Sequence, residues 1–410
     1  MNFEAFSLHP QIHAGITQAG YITPTPIQSQ AIPPILAGKD VLGLAQTGTG
    51  KTAAFGLPIL QRLLRGPRGR LRALILSPTR ELAEQTHAAI TALGRQTGLR
   101  SVTIYGGVGA QPQIRALKAG VEIVVACPGR LLDLMAQKAV DLRSLEILVV
   151  DEADQMFDMG FMPSIRRILA ALPAQRQTLL FSATMPAEIR SFATDLLKDP
   201  VTVEVNITRP IETIRHAVYP VDSTQKSEML LGLLAGVDAG QVLVFTRTKY
   251  RARKVAGQLA RAGLSATALH GNLSQSQRQT ALDGFRTGKV RILVATDIAA
   301  RGIDISRISH VINYDIPDTV EAYTHRIGRT GRMAARGTAY TLITSEDSQM
   351  VRSIERALGK PLERQKLAGF ETVTVMPEPR PALPPTRAHV PTAGRRAPRP
   401  AARAQARRTP

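Results

Sequence analysis

Residues 40–64 read DVLGLAQTGTGKTAAFGLPILQRLL, and this stretch decides the fold. It opens on a short aliphatic run, Asp40 to Ala45, and closes on apolar residues at helical spacing, with AQTGTGKT, Ala45 to Thr52, between them. An apolar strand, a glycine-bearing loop and a helix in that order make a phosphate cradle. Gly48 and Gly50 let backbone amides approach phosphate oxygens. Lys51 can reach the β- and γ-phosphates, and the hydroxyl of Thr52 can ligate Mg²⁺. The start of the helix adds the positive end of its dipole. Gln46, Thr47 and Thr49 complete the nucleotide-binding candidates of the loop. The strict G-x-x-x-x-G-K-S/T pattern has glycine where this chain has Ala45, and a structural turn is the competing reading.

A second motif lies further along, in LEILVVDEAD. Its acids, Asp151 to Asp154, fall at the C-terminal end of an apolar strand, where open α/β sheets bind ligands. Asp151 is the candidate Mg²⁺ ligand, and Glu152 the candidate to position or deprotonate an attacking water. The competing reading makes Asp154 a cap for the following helix, QMFDMGF.

Short aliphatic runs followed by helical patterns recur on both sides of these motifs, which is the signature of parallel-sheet α/β domains. In the first half they are Asp40 to Ala45, Leu71 to Ser77, Val121 to Ala126, Leu145 to Val150 and Thr178 to Ser182. In the second half they are Gln241 to Thr246, Val290 to Thr296, His310 to Tyr314 and Thr338 to Thr344. Such strands are expected to be buried on both faces. The series occurs twice, which predicts two α/β domains, residues 1–205 and 217–368, joined by a linker at 206–216. Residues 369–410 are rich in Arg, Pro and Ala and are expected to be a disordered basic tail, either an RNA tether or a solvated terminus.

A chain of 410 residues exceeds what one hydrophobic core usually organises. Its single cysteine, Cys127, excludes an intramolecular disulfide framework and any multi-cysteine metal site. No uninterrupted apolar stretch is long enough to cross a bilayer, and the start, MNFEAFSLHP, lacks the pattern of a secretion signal. No membrane partner and a cytoplasmic location are therefore expected. The formal net charge of +20 favours polyanions, nucleic acid first among them, with solubility alone as the rival explanation.

With both motifs in place, the chain resembles the DEAD-box family of RNA helicases over nearly all of residues 3–360. The elements follow in family order: GYITPTPIQ (Gly20 to Gln28), AQTGTGKT, PTRELA (Pro78 to Ala83), GG (Gly106, Gly107), PGR (Pro128 to Arg130), DEAD, SAT (Ser182 to Thr184), HGNLSQSQR, ATDIAARGIDI and HRIGRTGR. The overall character is similar to bacterial RhlE-like members. The resemblance implies two tandem RecA-like domains that use ATP and Mg²⁺ and act on structured or duplex RNA with little sequence specificity. It also suggests a monomer associated with ribosomal or mRNA-decay assemblies.

Residue by residue, the resemblance implies that Tyr21 and Gln28 recognise adenine, with Phe3 packed nearby. Asp154, Ser182 and Thr184 link the phosphate site to RNA binding, although a SAT at a strand end is also a turn and helix cap. Thr79, Arg80, Gly107 and Arg130 grip the RNA backbone, Thr79 having a rival role as a helix N-cap. The family commonly has Thr where this chain has Cys127, which puts any hydroxyl contact there in doubt. In the second half Ser274 and Gln277 form a capping box, and Gln275 and Arg278 are either the family's pair or a solvated helix face. Thr296 touches RNA, Asp304 the ribose or the domain interface, and Arg301 bridges the domains. Arg329 and Arg332 act as arginine fingers, and His325 and Arg326 couple to the acidic motif; a basic surface is the alternative.

The function expected is RNA-stimulated ATP hydrolysis coupled to local RNA unwinding or ribonucleoprotein remodelling. A DNA-stimulated translocase and a nucleotide-gated RNA clamp or chaperone are the rivals.

Overall fold

Runs such as ALIL, IVVA and ILVV carry no polar alternation, so they are stable only where both faces are covered. They form β2 (Ala73–Leu76), β4 (Ile123–Ala126) and β5 (Ile147–Val150), each buried throughout. With β1 (Val41–Leu44), β3 (Ser101–Ile104), β6 (Gln177–Ser182) and β7 (Val201–Glu204) they make an all-parallel sheet in the order β3-β4-β2-β5-β6-β1-β7. The computed structural model describes residues 2–46, 48–205, 214–237, 240–300, 308–330 and 337–370.

A second parallel sheet follows. Its strands are β8 (Ile214–Pro220), β9 (Gln241–Phe245), β10 (Ala266–Leu269), β11 (Ile292–Ala295), β12 (Ile308–Asn313), β13 (Gly337–Ile343) and β14 (Glu363–Arg364). Their order is β10-β11-β9-β12-β13-β8-β14, which is the order of the first sheet with every number raised by seven. The two lobes are thus one topology used twice, and β8 occupies in the second the place of β1 in the first. Helices cover the sheets, and the apolar clusters they complete each draw on one lobe alone. Among the described residues no helix is long and apolar enough to cross a membrane.

Every strand expected from the sequence is present within a few residues. Five others were not foreseen: β3, β7, β8, β10 and β14. Four of them lie at sheet edges, where one side faces solvent and the apolar signal is diluted; β3 and β10 are half-buried over most of their length and β7 is mostly exposed. β8 begins at Ile214, so residues 214–216, read as linker, belong to a strand, while 206–213 lie outside the described residues. Residues 371–410 of the expected tail also lie outside them, but Phe370 packs against an apolar cluster of the second lobe.

Candidate active site

β1, β6 and β5 are consecutive neighbours, so their C-terminal ends bring the phosphate loop, Ser182 and Asp151 side by side. Ala45 extends β1, its amide donating to the Ser182 carbonyl at 3.0 Å, and it is buried in the core. It is not among the residues with left-handed backbone, so glycine is not required there. Gly50 is different: its φ is +96°, and a Cβ would collide with the Gln28 amide. Lys51 then begins the helix Lys51–Leu63, with Thr52 beside it. Thr49 Oγ1 donates to the Gln46 carbonyl at 2.7 Å and holds the loop closed, while Gly48 is exposed. Thr47 lies outside the described residues.

The Lys51 ammonium faces the Asp151 carboxylate at 3.9 Å, both side chains nearly fully buried. Neither Lys51 Nζ nor Asp151 Oδ1 has a hydrogen-bond partner. Burial pushes the Asp151 carboxyl up to about 7, against the opposing pull of Lys51. Glu152 is buried and sits at φ +55°, a left-handed conformation uncommon for a residue with a side chain and a mark of strain held at functional sites. Among the described residues no three acids, histidines or cysteines cluster to hold a metal unaided. A hydroxyl, a carboxylate and phosphate oxygens are the hard oxygen donors that suit Mg²⁺, so Thr52 and Asp151 fit the ion as partial ligands.

Asp154 does not occupy the N-cap position of the next helix, although its Oδ1 accepts from the first-turn amide of Gln155 at 3.0 Å. Glu152 holds that position, and Asp154 lies inside the helix Ala153–Asp158. Its Oδ2 instead accepts from Thr184 N at 2.9 Å, Thr184 Oγ1 at 3.0 Å and Ala183 N at 3.2 Å. Ser182 Oγ donates to the Thr184 carbonyl and accepts from Asp154 N. Acid motif and SAT segment are therefore tied to each other by hydrogen bonds.

Among the residues expected to read adenine, Phe3 and Tyr21 stack with centroids 6.2 Å apart, Phe3 buried and Tyr21 39% exposed. Gln28 is buried; it accepts from Thr25 N at 2.9 Å and donates to the Gly50 carbonyl at 3.1 Å. The sequence reading gave Gln28 only to the base, whereas here it is fastened to the phosphate loop.

The loops expected to hold a polyanion converge at the ends of β2, β3 and β4. Thr79 Oγ1 accepts from Leu82 N at 3.2 Å, so the N-cap role weighed for it is present. Gly107 has φ +79°, and any Cβ there would collide with the Arg80 guanidinium. The second glycine thus clears space for Arg80. Arg130 donates twice to the Val108 carbonyl at 3.2 Å, tying the PGR segment to the glycine pair. Cys127 is the N-cap of Pro128–Ala136 without a side-chain hydrogen bond.

Across from these loops, in the second lobe, the helix Gln275–Arg286 carries the capping box of Ser274 and Gln277. Gln275 Oε1 accepts from Arg80 Nη1 at 3.2 Å, and Arg278 Nε pairs with Glu81 Oε1 at 2.7 Å, both partners largely buried. The solvated-face reading of Gln275 and Arg278 is thereby replaced by lobe contact. Thr296, half-buried at the end of β11, donates through its amide to the Leu269 carbonyl.

A small cavity is lined by Gln155 of the acidic segment together with His325, Arg326 and Arg329. Gln155 Oε1 is buried without a hydrogen-bond partner. Sequence reasoning missed Gln155, although its place directly after the acidic motif was a usable signal. Arg326 departs from expectation: its guanidinium forks onto Asp297 at 2.5 and 2.6 Å and also donates to Asn313 Oδ1 and the Asp315 carbonyl, all within the second lobe. With those donors engaged it organises its own lobe rather than gripping the acidic motif. Arg301, Asp304 and Arg332 lie outside the described residues.

Residues 25–192 match the DEAD/DEAH box helicase family, and residues 225–334 match the helicase conserved C-terminal domain. The chain is 45% identical over 350 residues to the RNA helicase CrhR of Synechocystis, covering 85% of this chain and 71% of that one. The chain belongs to the DEAD-box ATP-dependent RNA helicases. A second DEAD-box relative, CshA of Bacillus subtilis, is 41% identical over 384 residues, covering 92% of this chain and 77% of its own. Neither carries the RhlE-like label expected from the sequence. Among solved structures, Saccharomyces cerevisiae Dbp5 bound to RNA and ADP BeF3 aligns with a TM-score of 0.79 at 30% identity, covering 90% of this chain and 96% of that one. A DEAD box protein of Methanococcus jannaschii aligns at 0.53 and 38% identity, covering 89% of this chain and 99% of that one.

This DEAD-box helicase also repeats the Lys51–Asp151 arrangement in its second lobe. Lys226 begins the helix after β8 as Lys51 begins the helix after β1, and Asp315 follows β12 as Asp151 follows β5. Their separation is 3.8 Å, against 3.9 Å for Lys51 and Asp151. Yet Lys226 donates to the Tyr314 carbonyl, and Asp315 accepts from Arg251 at 2.6 Å and from the Arg247 amide at 2.9 Å. The preceding loop, VDSTQ, has no glycine. These groups satisfy one another, whereas Lys51 Nζ and Asp151 Oδ1 of the first lobe have no hydrogen-bond partner.

Proposed function

We propose that ATP and one strand of RNA bind across the two lobes and that hydrolysis is completed only while both lobes are engaged. The observation that carries this reading is the cavity shared by Gln155, beside the DEAD acids, and His325, Arg326 and Arg329 of the second lobe. In this reading residues 1–205 and 214–368 are the two working halves, the second beginning with β8.

Lys51 and the loop amides hold the phosphates, and Tyr21 with Gln28 reads adenine. Thr52 and Asp151 would hold Mg²⁺, which would neutralise phosphate charge there. Glu152, held in its strained conformation against the end of β5, orients the attacking water and takes its proton. Arg329, and Arg332 by the resemblance, supply positive charge where the transferring phosphoryl group becomes more negative. Asp154, bound to Thr184 and to the Ala183 amide, transmits the state of the phosphate site to the RNA-facing loops. By the resemblance, Asp304 serves the ribose or the domain interface.

Thr79, Arg80, Gly107, Arg130 and Thr296 contact the sugar–phosphate backbone, which carries little base information, so RNA choice is broad. The engaged lobes bend the one bound strand, which a continuous A-form duplex cannot follow, and opening is local.

ATP hydrolysis by the purified chain, measured with single-stranded RNA and with DNA of the same sequence, tests the proposal. RNA should stimulate strongly and DNA weakly. Equal stimulation by DNA would favour the translocase, and strand separation that needs no hydrolysable ATP would favour the clamp.

A further inference from the structure

The outer edge of the second lobe carries a cavity that neither the ATP site nor the lobe contact uses. It lies beside the edge strand β10, between the helices Lys249–Arg261 and Gln275–Arg286, and encloses about 770 Å³. Lys249, Tyr250, Arg253, His270, Asn272 and Thr280 are in its wall, and no aspartate or glutamate is. The cavity around Lys226 is a contrast. Five acids there (Asp222, Glu228, Asp315, Glu346 and Asp347) oppose its five lysines and arginines, so the charge cancels. At β10 it does not cancel.

Tyr250 is 76% exposed, in a chain with seven tyrosines and no tryptophan. A ring so exposed near the start of a helix contributes little to any core. The Lys249 ammonium lies 5.4 Å from its centroid and donates to Asn272 Oδ1 at 3.1 Å. Arg253 follows one helical turn later. His270 is only 6% exposed, and its Nδ1 has no hydrogen-bond partner. Burial, with Arg253 next, pushes the pKa of that imidazole down, so the ring is neutral near pH 7 and keeps one donor and one acceptor. An exposed aromatic, two cations, no acid and an unmet polar atom around one cavity make up the chemistry of a nucleotide site.

The path to it is short. Gln275 contacts Arg80, Arg278 pairs with Glu81 and also donates to the His270 carbonyl, and Ser276, Gln277 and Thr280 of the same helix line the cavity. A strand lying over Arg80 has only the start of that helix to cross.

We propose that this cavity is a subsite for one nucleotide of the bound RNA, its base stacked on Tyr250 and its phosphate held by Lys249 and Arg253. The subsite rests on the RNA-binding reading and extends it. Stacking on an aromatic ring accepts every base, so the subsite adds affinity and footprint without sequence preference.

The test uses the full chain with a non-hydrolysable ATP analogue and a length series of fluorescein-labelled oligouridylates. Tyr250→Ala should weaken the longer oligonucleotides about tenfold, the size expected for one lost base–aromatic stack. The effect should vanish for oligonucleotides too short to leave the cleft between the lobes, and Tyr250→Phe should restore tight binding. With 2-aminopurine placed at successive positions, one position should be quenched in the wild type and not in Tyr250→Ala. Unchanged affinity for long RNA, a loss independent of length, or a Phe variant as weak as the Ala variant would each overturn the subsite. RNA-stimulated ATP hydrolysis by the wild type, measured with the same oligonucleotides, tests the main reading separately.

Discussion

Lys51 and Asp151 face each other 3.9 Å apart, Lys51 Nζ and Asp151 Oδ1 having no hydrogen-bond partner, and the strained Glu152 follows directly. Lys51→Ala should therefore abolish binding of a fluorescent ATP analogue. Glu152→Gln should bind it as the wild type does while kcat falls by about 10² to 10⁴, the range for loss of a general base. Cys127 makes a different prediction. Burial, with Glu81 adding to it, pushes its thiol from 9.0 up to about 12. The native protein should react slowly with a thiol reagent at pH 8 and fully once unfolded. Below pH 9 the thiol is neutral folded and unfolded alike; between 9 and about 12 only the unfolded chain ionises, so this group's contribution to stability is lost as pH rises across that window. Thermal melts of Cys127→Ser against wild type over that range check the sign. The ATP residues were legible because their chemistry needs glycine, lysine and acid at fixed spacing. Glu81 and Gln155 were not, because a single buried acid or amide has no spacing to betray it.

Among the elements, the helix Gln275–Arg286 does two jobs. Its capping box fixes where it starts, and its contacts with Arg80 and Glu81 join it to the first lobe. Removing Arg278 leaves Glu81 buried and unpaired when the lobes are engaged, but free to hydrate when they part. Arg278→Ala should thus raise the RNA concentration for half-maximal ATPase stimulation at least tenfold with ATP affinity of the separated lobes unchanged. A double-mutant cycle with Glu81→Gln should recover part of the loss, and additive effects would contradict the pairing. Legibility at this scale followed burial. Central strands such as β2 and β5 read plainly as unbroken aliphatic runs, whereas β3, β7 and β10 are edge strands with polar residues on their open side. No local pattern separates those from loops.

For the molecule as a whole, the apolar clusters stay within single lobes, and the contacts identified between lobes are polar: an amide on an arginine, a buried ion pair, a cavity edged by Gln155 and Arg329. An interface of that kind opens at modest cost. Residues 1–205, which retain two complete apolar clusters, should fold alone and bind ATP, yet hydrolyse it without response to RNA, because Arg329 is missing. RNA affinity of the full chain, at a net charge of +20, should fall linearly with the logarithm of salt concentration.

The twinned sheets give this last point a further consequence. Lys226 and Asp315 have spent on each other, on Arg251 and on Tyr314 the bonds that their counterparts hold in reserve. A duplicated fold has thereby become asymmetric: one half stays hungry for a triphosphate and the other is sated. On the proposed function, fuel then enters by one door only, so each turnover begins from the same side and the two halves keep their roles.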